Sequence, residues 1–134
     1  MLLLLFHMKE KKMIIKIDNT EHVVRFGIKF VGEVDKLFSD KKDSYGVGMS
    51  YAVPRLMDGD VPFLSKILWL SMCTEKNRPS QDKVDEFVEN VDNIEELLAE
   101  VMEELKNANA TKIKTRQMMS LFEKLKATET QASA

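Results

Sequence analysis

The amino-acid sequence predicts a mostly helical α+β domain, with a two-stranded β-hairpin followed by about five to six short helices packed round a central apolar helix. Three observations lead to this fold class. Residues 13–26 are rich in β-branched side chains and are divided by a run of turn formers at residues 18–20. Most of the later chain repeats apolar residues at spacings of three and four, as amphipathic helices do. Residues 61–73 are apolar on nearly every side, which is typical of a buried helix.

The composition is that of one globular domain with a genuine core. The chain has 134 residues, of which 44% are hydrophobic and 31% are charged. Its net charge of −2 produces no general field that would attract nucleic acid or a membrane surface, so neither partner is expected. Cys73 is the single cysteine, so an intramolecular disulfide is excluded and a reducing compartment is expected.

Residues 1–12 are expected to be a non-native or disordered leader. The apolar run at residues 1–6 has no preceding basic segment and no small-residue cleavage site, so it does not fit a secretory signal. Lys9-Glu10-Lys11 is compatible with a purine-rich ribosome-binding sequence in the underlying DNA, directly upstream of Met13. We therefore expect Met13 to be the biological start, with one globular domain over residues 13–110.

The first half of that domain is read as a hairpin and two helices. A lone two-stranded hairpin is marginal in water, so this one must pack on helices or pair with another chain. Helical spacing begins at Gly27 and a polar loop follows at residues 39–44. A second helix is predicted from about Val47 to Met57, kinked or interrupted at Pro54.

The third, apolar helix has clear boundaries. Pro62 suits a first helical turn, where a missing N–H costs nothing, and Pro79 prevents the helix from continuing through the turn at residues 74–80. Thirteen residues are too few to cross a bilayer, which needs about 20. A buried core helix is therefore preferred to a membrane span.

The second half is predicted to contain two or three further helices. Ser80 is a candidate N-cap, and Asp92 with Glu95 resembles a capping box that restarts a helix. The unbroken apolar spacing from Val84 to Leu105 also fits one continuous helix, although two are favoured. After a break, a basic amphipathic helix is predicted over residues 111–126, with Thr111 as its N-cap, and a disordered tail over residues 127–134.

Charge is segregated along this half of the chain. Residues 82–104 contain ten acidic residues and only one basic residue, Lys83, whereas the last predicted helix is basic. Two solvated helix faces are the ordinary explanation. The alternative is that the basic helix docks on an acidic face, either its own or that of a neighbouring subunit.

The sequence offers no catalytic, cofactor or metal site. His7 and His22 are the only histidines, and neither has cysteines or paired acids at ligand spacing. Gly46-Val47-Gly48 superficially resembles a phosphate loop, but Tyr51 occupies the third glycine position, so the glycines are interpreted as flexibility at a helix start. We therefore expect a protein that is not an enzyme.

Methionine is the one unusual component of the sequence. Nine methionines are present, and surfaces that bind varied apolar segments often use this adaptable side chain. Core filling and alternative start codons explain most of them. Met118 and Met119, on the last helix, are better explained by a partner.

Several segments, taken in order, resemble the tail assembly chaperones of long-tailed, siphovirus-type bacteriophages and prophages of Gram-positive bacteria. Their order and spacing carry the resemblance from Met13 to about Lys114, rather than any single motif. The matching segments are the hairpin, Phe26 to Asp35, Gly46 to Met49, Pro54 to Asp60, Thr74 to Asp82 and Leu105 to Thr111.

The resemblance implies a non-enzymatic, non-virion chaperone made late in infection in the host bacterial cytoplasm. Its partners would be the tape measure protein, which it keeps soluble, and the major tail tube protein, which it helps to recruit. Members of this family often occur together with a longer form of the same chain that ribosomal frameshifting produces. A further copy of the chain, in a homo-oligomer, is the other partner considered.

A binding groove follows from combining this role with the apolar stripes of the last two helices. Helix-in-groove recognition needs anchors at helical spacing. The predicted partner-binding residues are Leu98, Met102, Leu105, Met118, Leu121 and Phe122.

Two other functions remain open from sequence. A small structural protein of the phage tail, such as a completion or connector protein, would have the same size and composition. A DNA-binding phage regulator is less favoured, because basic residues are confined to the last helix and the net charge is negative.

Overall fold

The computed structural model describes residues 12–38 and 47–133. Within these ranges it contains two strands and six helices, which confirms the predicted fold class. Residues 1–11, which are the predicted leader without Lys12 and include His7, lie outside the described residues. The predicted loop at residues 39–44 lies outside them as well. The elements are β1 (Met13–Ile17), β2 (Thr20–Val24), α1 (Ile28–Leu37), α2 (Gly48–Met57), α3 (Val61–Ser71), α4 (Gln81–Asn90), α5 (Ile94–Asn107) and α6 (Lys112–Ser133).

The hairpin is closed by a two-residue turn. Asp18 and Asn19 both have positive φ, at 50° and 65°, as a type I′ turn requires. The antiparallel register pairs Ile17 with Thr20 and Ile15 with His22. Alternate residues of the hairpin are buried against the helices, so the marginal two-stranded sheet is stabilised by the domain core.

Helix α3 is the predicted central helix. Asp60 caps it by accepting a hydrogen bond from the Phe63 amide at 3.0 Å, and Pro62 lies in its first turn. Seven of its eleven residues are buried, including both serines. Helices α1, α2 and α4 pack against it and together cover its apolar surface.

The turn between α3 and α4 is held by Arg78. Its guanidinium carbon lies 3.4 Å from the centroid of the Trp69 ring, and its Nη2 donates to the Trp69 carbonyl at 3.0 Å. The Trp69 indole donates in turn to the carbonyl of Pro79 at 3.0 Å. The end of α3 and the start of α4 are thus joined through one stacked pair.

The same turn anchors the hairpin. The Glu75 carboxylate accepts a hydrogen bond from the Val23 amide and contacts Nδ1 of the buried His22 at 3.2 Å. The Arg25 amide donates to the Ser71 carbonyl at 3.0 Å. The outer edge of β2 is therefore closed by polar groups from the end of α3 and the turn.

Gly48 is required for close packing of α1 on α2. Its amide donates to Asp35 Oδ1 at 2.8 Å, and a Cβ at this position would lie 2.9 Å from the Asp35 Cα. The interpretation of this glycine as helix-entry flexibility is wrong, because its role is steric. Pro54 also does not interrupt α2, which continues to Met57.

The acidic region forms two helices, α4 and α5, as favoured from the sequence. Ser80 caps α4 by accepting from the Lys83 amide at 3.2 Å, which confirms its predicted role. The cap of α5 is Asn93 rather than Asp92. Its Oδ1 accepts from the Glu96 amide at 3.0 Å, one residue later than the predicted capping box.

The last helix differs from its prediction at both ends. The Thr111 hydroxyl is buried and donates to the Leu105 carbonyl at 2.6 Å, so it satisfies the end of α5 instead of capping α6. Helix α6 runs to Ser133, where a disordered tail was expected from Ala127. Neither glycine nor proline follows Lys126 to end the helix.

We predict that Gly48→Ala lowers the free energy of unfolding by about 1–3 kcal/mol, because the added methyl group overlaps the backbone of Asp35. Urea unfolding measures this change. Gly32→Ala is the matched control, since its Cβ meets nothing within 4 Å and alanine favours a helix by about 0.5–1 kcal/mol. Equal stability of the two variants would contradict the close approach.

We also predict that Arg78→Lys destabilises the fold by about 1 kcal/mol, since lysine cannot keep both the stacking on Trp69 and the hydrogen bonds to its carbonyl. Thermal unfolding monitored by Trp69 fluorescence reports the change. Lys76→Ala, at an exposed position of the same turn, should leave the unfolding midpoint unchanged. If the Arg78→Lys variant is as stable as this control, the stacking of Arg78 on Trp69 does not stabilise the fold.

Candidate partner-binding surface

Helix α6 is amphipathic, and its inner face joins it to the core. Thr111 and Thr115 are fully buried, and Met118 and Met119 are half-buried against the core. The helix packs on α2 and on α5. Arg116 strengthens the second contact, since its Nε donates to the Lys106 carbonyl at 3.0 Å. The first half of α6 is therefore fixed to the domain.

An apolar flank borders this inner face. Met118, Leu121, Phe122 and Leu125 occur at positions i, i+3, i+4 and i+7, which places them on one side of the helix. Met118 and Phe122 are half-buried, whereas Leu121 is 49% exposed and Leu125 is 59% exposed. We call these four residues the α6 flank. The α6 flank thus lies between the buried inner face of the helix and its solvent-exposed side.

A groove of about 450 Å³ runs beside the flank, between α6 and the end of α2. Phe122 and Leu125 line it from α6, and Pro54 lines it from α2. Residues of both charges surround this apolar floor, among them Arg55 and Asp58. The Lys126 ammonium lies 5.1 Å from the centroid of the Phe122 ring. The groove has the form of an apolar contact surface with a polar margin.

The six predicted binding residues fall into three environments. Leu121 is exposed, and Phe122 and Met118 are half-buried on α6. Leu98 and Met102 are half-buried on α5, where they pack against the core, and neither lines the groove. Leu105 is fully buried, so in this structure it is a core residue that a partner does not reach.

The second wall of the groove was missed from the sequence. The prediction placed the groove between α6 and the stripe of α5. Although α6 packs on both α5 and α2, the groove beside the flank has α2 as its second wall, through Pro54, Arg55 and Asp58. Nothing in the sequence connects residues so far apart. Leu125 was also left out of the predicted site, although it belongs to the same helical stripe as Leu121.

Most acidic side chains of residues 82–104 are exposed, although the basic helix α6 packs on α5. Arg116 contacts the carbonyl of Lys106 and, at 3.3 Å, Oδ1 of Asn107, both at the end of α5. Nearby, hydrogen bonds from Lys106 and Asn107 lower the pKa of Glu103 below its ordinary value. At the other end of the acidic region, the hydrogen bond to Asp18 raises the pKa of Lys83.

The polar clusters among the described residues join neighbouring elements of the fold. Ser65 donates to Asp85 at 2.5 Å and Gln81 donates to the same oxygen at 3.0 Å, beside a cavity of about 310 Å³ between α3 and α4. His22 is buried against Glu75. Among the described residues, no group of three or more histidine, cysteine, aspartate or glutamate side chains is arranged to hold a metal ion.

Within residues 12–38 and 47–133, none of the helices has both the length and the apolar character of a membrane span.

A protein-family model described as "phage tail assembly chaperone protein" matches residues 14–120. This segment extends from β1 into α6 and ends just before Leu121, so it includes only the first residue of the α6 flank. No curated protein and no solved structure matches the chain.

We predict that Leu121→Asp with Leu125→Asp changes the free energy of unfolding by no more than about 1 kcal/mol, because both side chains already face solvent. Leu105→Asp should prevent folding, because it would bury an unpaired charge. Circular dichroism and urea unfolding distinguish the two outcomes. A cooperative, stable Leu105→Asp variant would show that α5 is not packed as described.

Proposed function

The chain belongs to the phage tail assembly chaperone family, and from this premise we propose that it binds the tape measure protein, keeps it soluble and helps to recruit tail tube subunits round it. The proposed site of action is the cytoplasm of the host bacterium, and the proposed chaperone leaves before the virion is complete. The tape measure protein and the major tail protein are its proposed partners. A frameshifted longer form of the chain is a further proposed partner.

The α6 flank is the observation that supports this proposal. A tape measure protein of the kind that the family resemblance implies is long, helical and apolar along its stripes. Such a stripe is recognised by an apolar surface with a polar margin, as in other helix-in-groove complexes. Leu121 and Leu125 are exposed beside a groove whose floor includes Phe122 and Pro54, so the chain offers a surface of this kind.

Methionine suits the same task. Met118 on α6 and Met102 on α5 are half-buried at the surface of the core, where an unbranched, polarisable side chain adapts to partners of irregular shape. A chaperone that covers a long target meets many different local sequences. We therefore keep Leu98 and Met102 as proposed contacts beside the α6 flank, and leave out the buried Leu105.

The proposal predicts that Leu121→Asp with Leu125→Asp lowers the yield of soluble tape measure protein roughly tenfold on co-expression, since charge on the flank removes apolar contacts of a few kcal/mol. The measurement is the partition of tape measure protein between the supernatant and the pellet. Co-purification of the two proteins is the second readout.

Ile28→Asp is the matched control, because Ile28 is the most exposed of the large hydrophobic residues that the structure describes and lies on α1, away from the groove. This variant should preserve the tape measure protein in solution. If the double α6 variant, shown to be folded, keeps the tape measure protein as soluble as the unmodified chain does, the α6 flank is not the binding surface. If the unmodified chain itself has no effect, the tape measure assignment fails.

A further inference from the structure

The two edges of the hairpin differ in how they are closed. In a hairpin with a two-residue turn, the residues next to the turn form a hydrogen-bonded pair, and such pairs alternate along the strands. Ile17 and Thr20 are therefore bonded, as are Ile15 and His22. The backbone groups of Ile14 and Lys16 point away from β2. The outward Val23 amide, bound by Glu75, confirms this phase on the other strand.

The outer edge of β1 has no such closure within the described residues. The amides of Ile14 and Lys16 donate to no backbone or side-chain acceptor there, whereas the amides of Val23 in β2 and of Arg25, directly after β2, both have acceptors. Ile14, the second residue of β1, is also 50% exposed. An unpaired strand edge of this kind is a template for a further strand.

A groove of about 360 Å³ lies along this edge. One wall is β1 at residues 14–16, and the other is the end of α4 with the first turns of α5. The side chains of Phe87, Val91 and Leu97 make its apolar part. The groove thus offers both backbone partners and apolar contact to an extended chain.

Acidic side chains surround the groove. Asp92, Glu96 and Glu100 line it and are exposed, and Lys16 is the only basic residue among the described lining. They belong to the acidic region at residues 82–104, most of whose acidic side chains are exposed. The groove is therefore complementary to a positively charged segment.

We propose that this groove binds an extended, basic segment of a partner protein, which adds to β1 as a third strand. Main-chain hydrogen bonds to Ile14 and Lys16 supply the affinity, and apolar residues that alternate with lysine or arginine supply the specificity. A second copy of the chain fits less well, because joining two β1 edges would bring two acidic walls together. This surface is separate from the α6 flank and serves a partner of different conformation.

A single lysine on an edge strand is also a common protection against unwanted pairing. Lys16 alone would act in that way on a flat, open edge. Here the opposite wall carries three carboxylates, so the local charge attracts a basic strand in spite of Lys16. The two explanations predict different behaviour towards short peptides of opposite charge.

The test is an NMR titration of the full ¹⁵N-labelled chain with an acetylated and amidated heptapeptide of alternating lysine and valine, and with its glutamate–valine counterpart. The lysine peptide should shift the amides of residues 14–16 and 92–100 saturably, and added salt should weaken it. Ile14→Pro should weaken binding roughly tenfold, because it removes an outward N–H and leaves the β1–β2 ladder intact.

A second variant covers the possibility that Ile14→Pro does not fold. Glu96→Lys with Glu100→Lys should abolish the lysine-peptide shifts, whereas Glu89→Lys with Glu95→Lys, of equal charge change outside the groove, should preserve them. Equal binding of both peptides, or shifts confined to other residues, would overturn the proposal. Shifts at residues 14–16 that depend on protein concentration alone would replace the basic partner with a second copy.

Discussion

The fold depends on one constraint, which is that α3 carries a broad apolar face that must be kept from water. Phe63, Leu64, Ile67, Leu68 and Leu70 form this face and are all buried, whereas Val61 and Pro62 at the start of the helix are exposed. A helix of this composition is stable only when other elements cover its apolar face. Helices α1, α2 and α4 do so, and the close approach of α1 to α2 at Gly48 allows two of them to fit side by side. The remaining elements are arranged on this assembly.

Residues 74–80 fix the positions of the hairpin and of α4 relative to α3. Arg78 holds the start of α4 against Trp69, and Glu75 holds β2 through the Val23 amide and His22. One short turn thereby orients both the hairpin and the acidic helices. Because Glu75 and Ser71 close β2, the open edge of the hairpin is β1, which faces the junction of α4 and α5. The position of the acidic groove therefore follows from the contacts that this turn makes with β2 and with the start of α4.

The fold class was predictable from sequence because its signals are local. The apolar run of α3, the Ser80 cap and the alternating strands each act over a few residues. The role of Gly48 was not predictable, since it depends on Asp35 in another helix. The site was predicted only in part for a similar reason. Leu105 on α5 and Leu121 on α6 both belong to apolar stripes at helical spacing. Leu105 is nevertheless fully buried and Leu121 is 49% exposed, because neighbouring elements cover α5 and leave part of α6 open.

The modest size of the α6 flank bears on how a chaperone of the proposed kind would work. Covering the exposed parts of Leu121 and Leu125 contributes roughly 2–3 kcal/mol, from about 1.5–3 kcal/mol for a whole leucine. Association costs at least about 4 kcal/mol in lost freedom of motion. The flank alone therefore does not hold a partner tightly, even with help from Phe122 and Pro54. For a chaperone of the proposed kind, stable coverage of a long target with repeated apolar stripes therefore requires copies that are joined or in contact with one another, because separate weak copies gain nothing from multivalency.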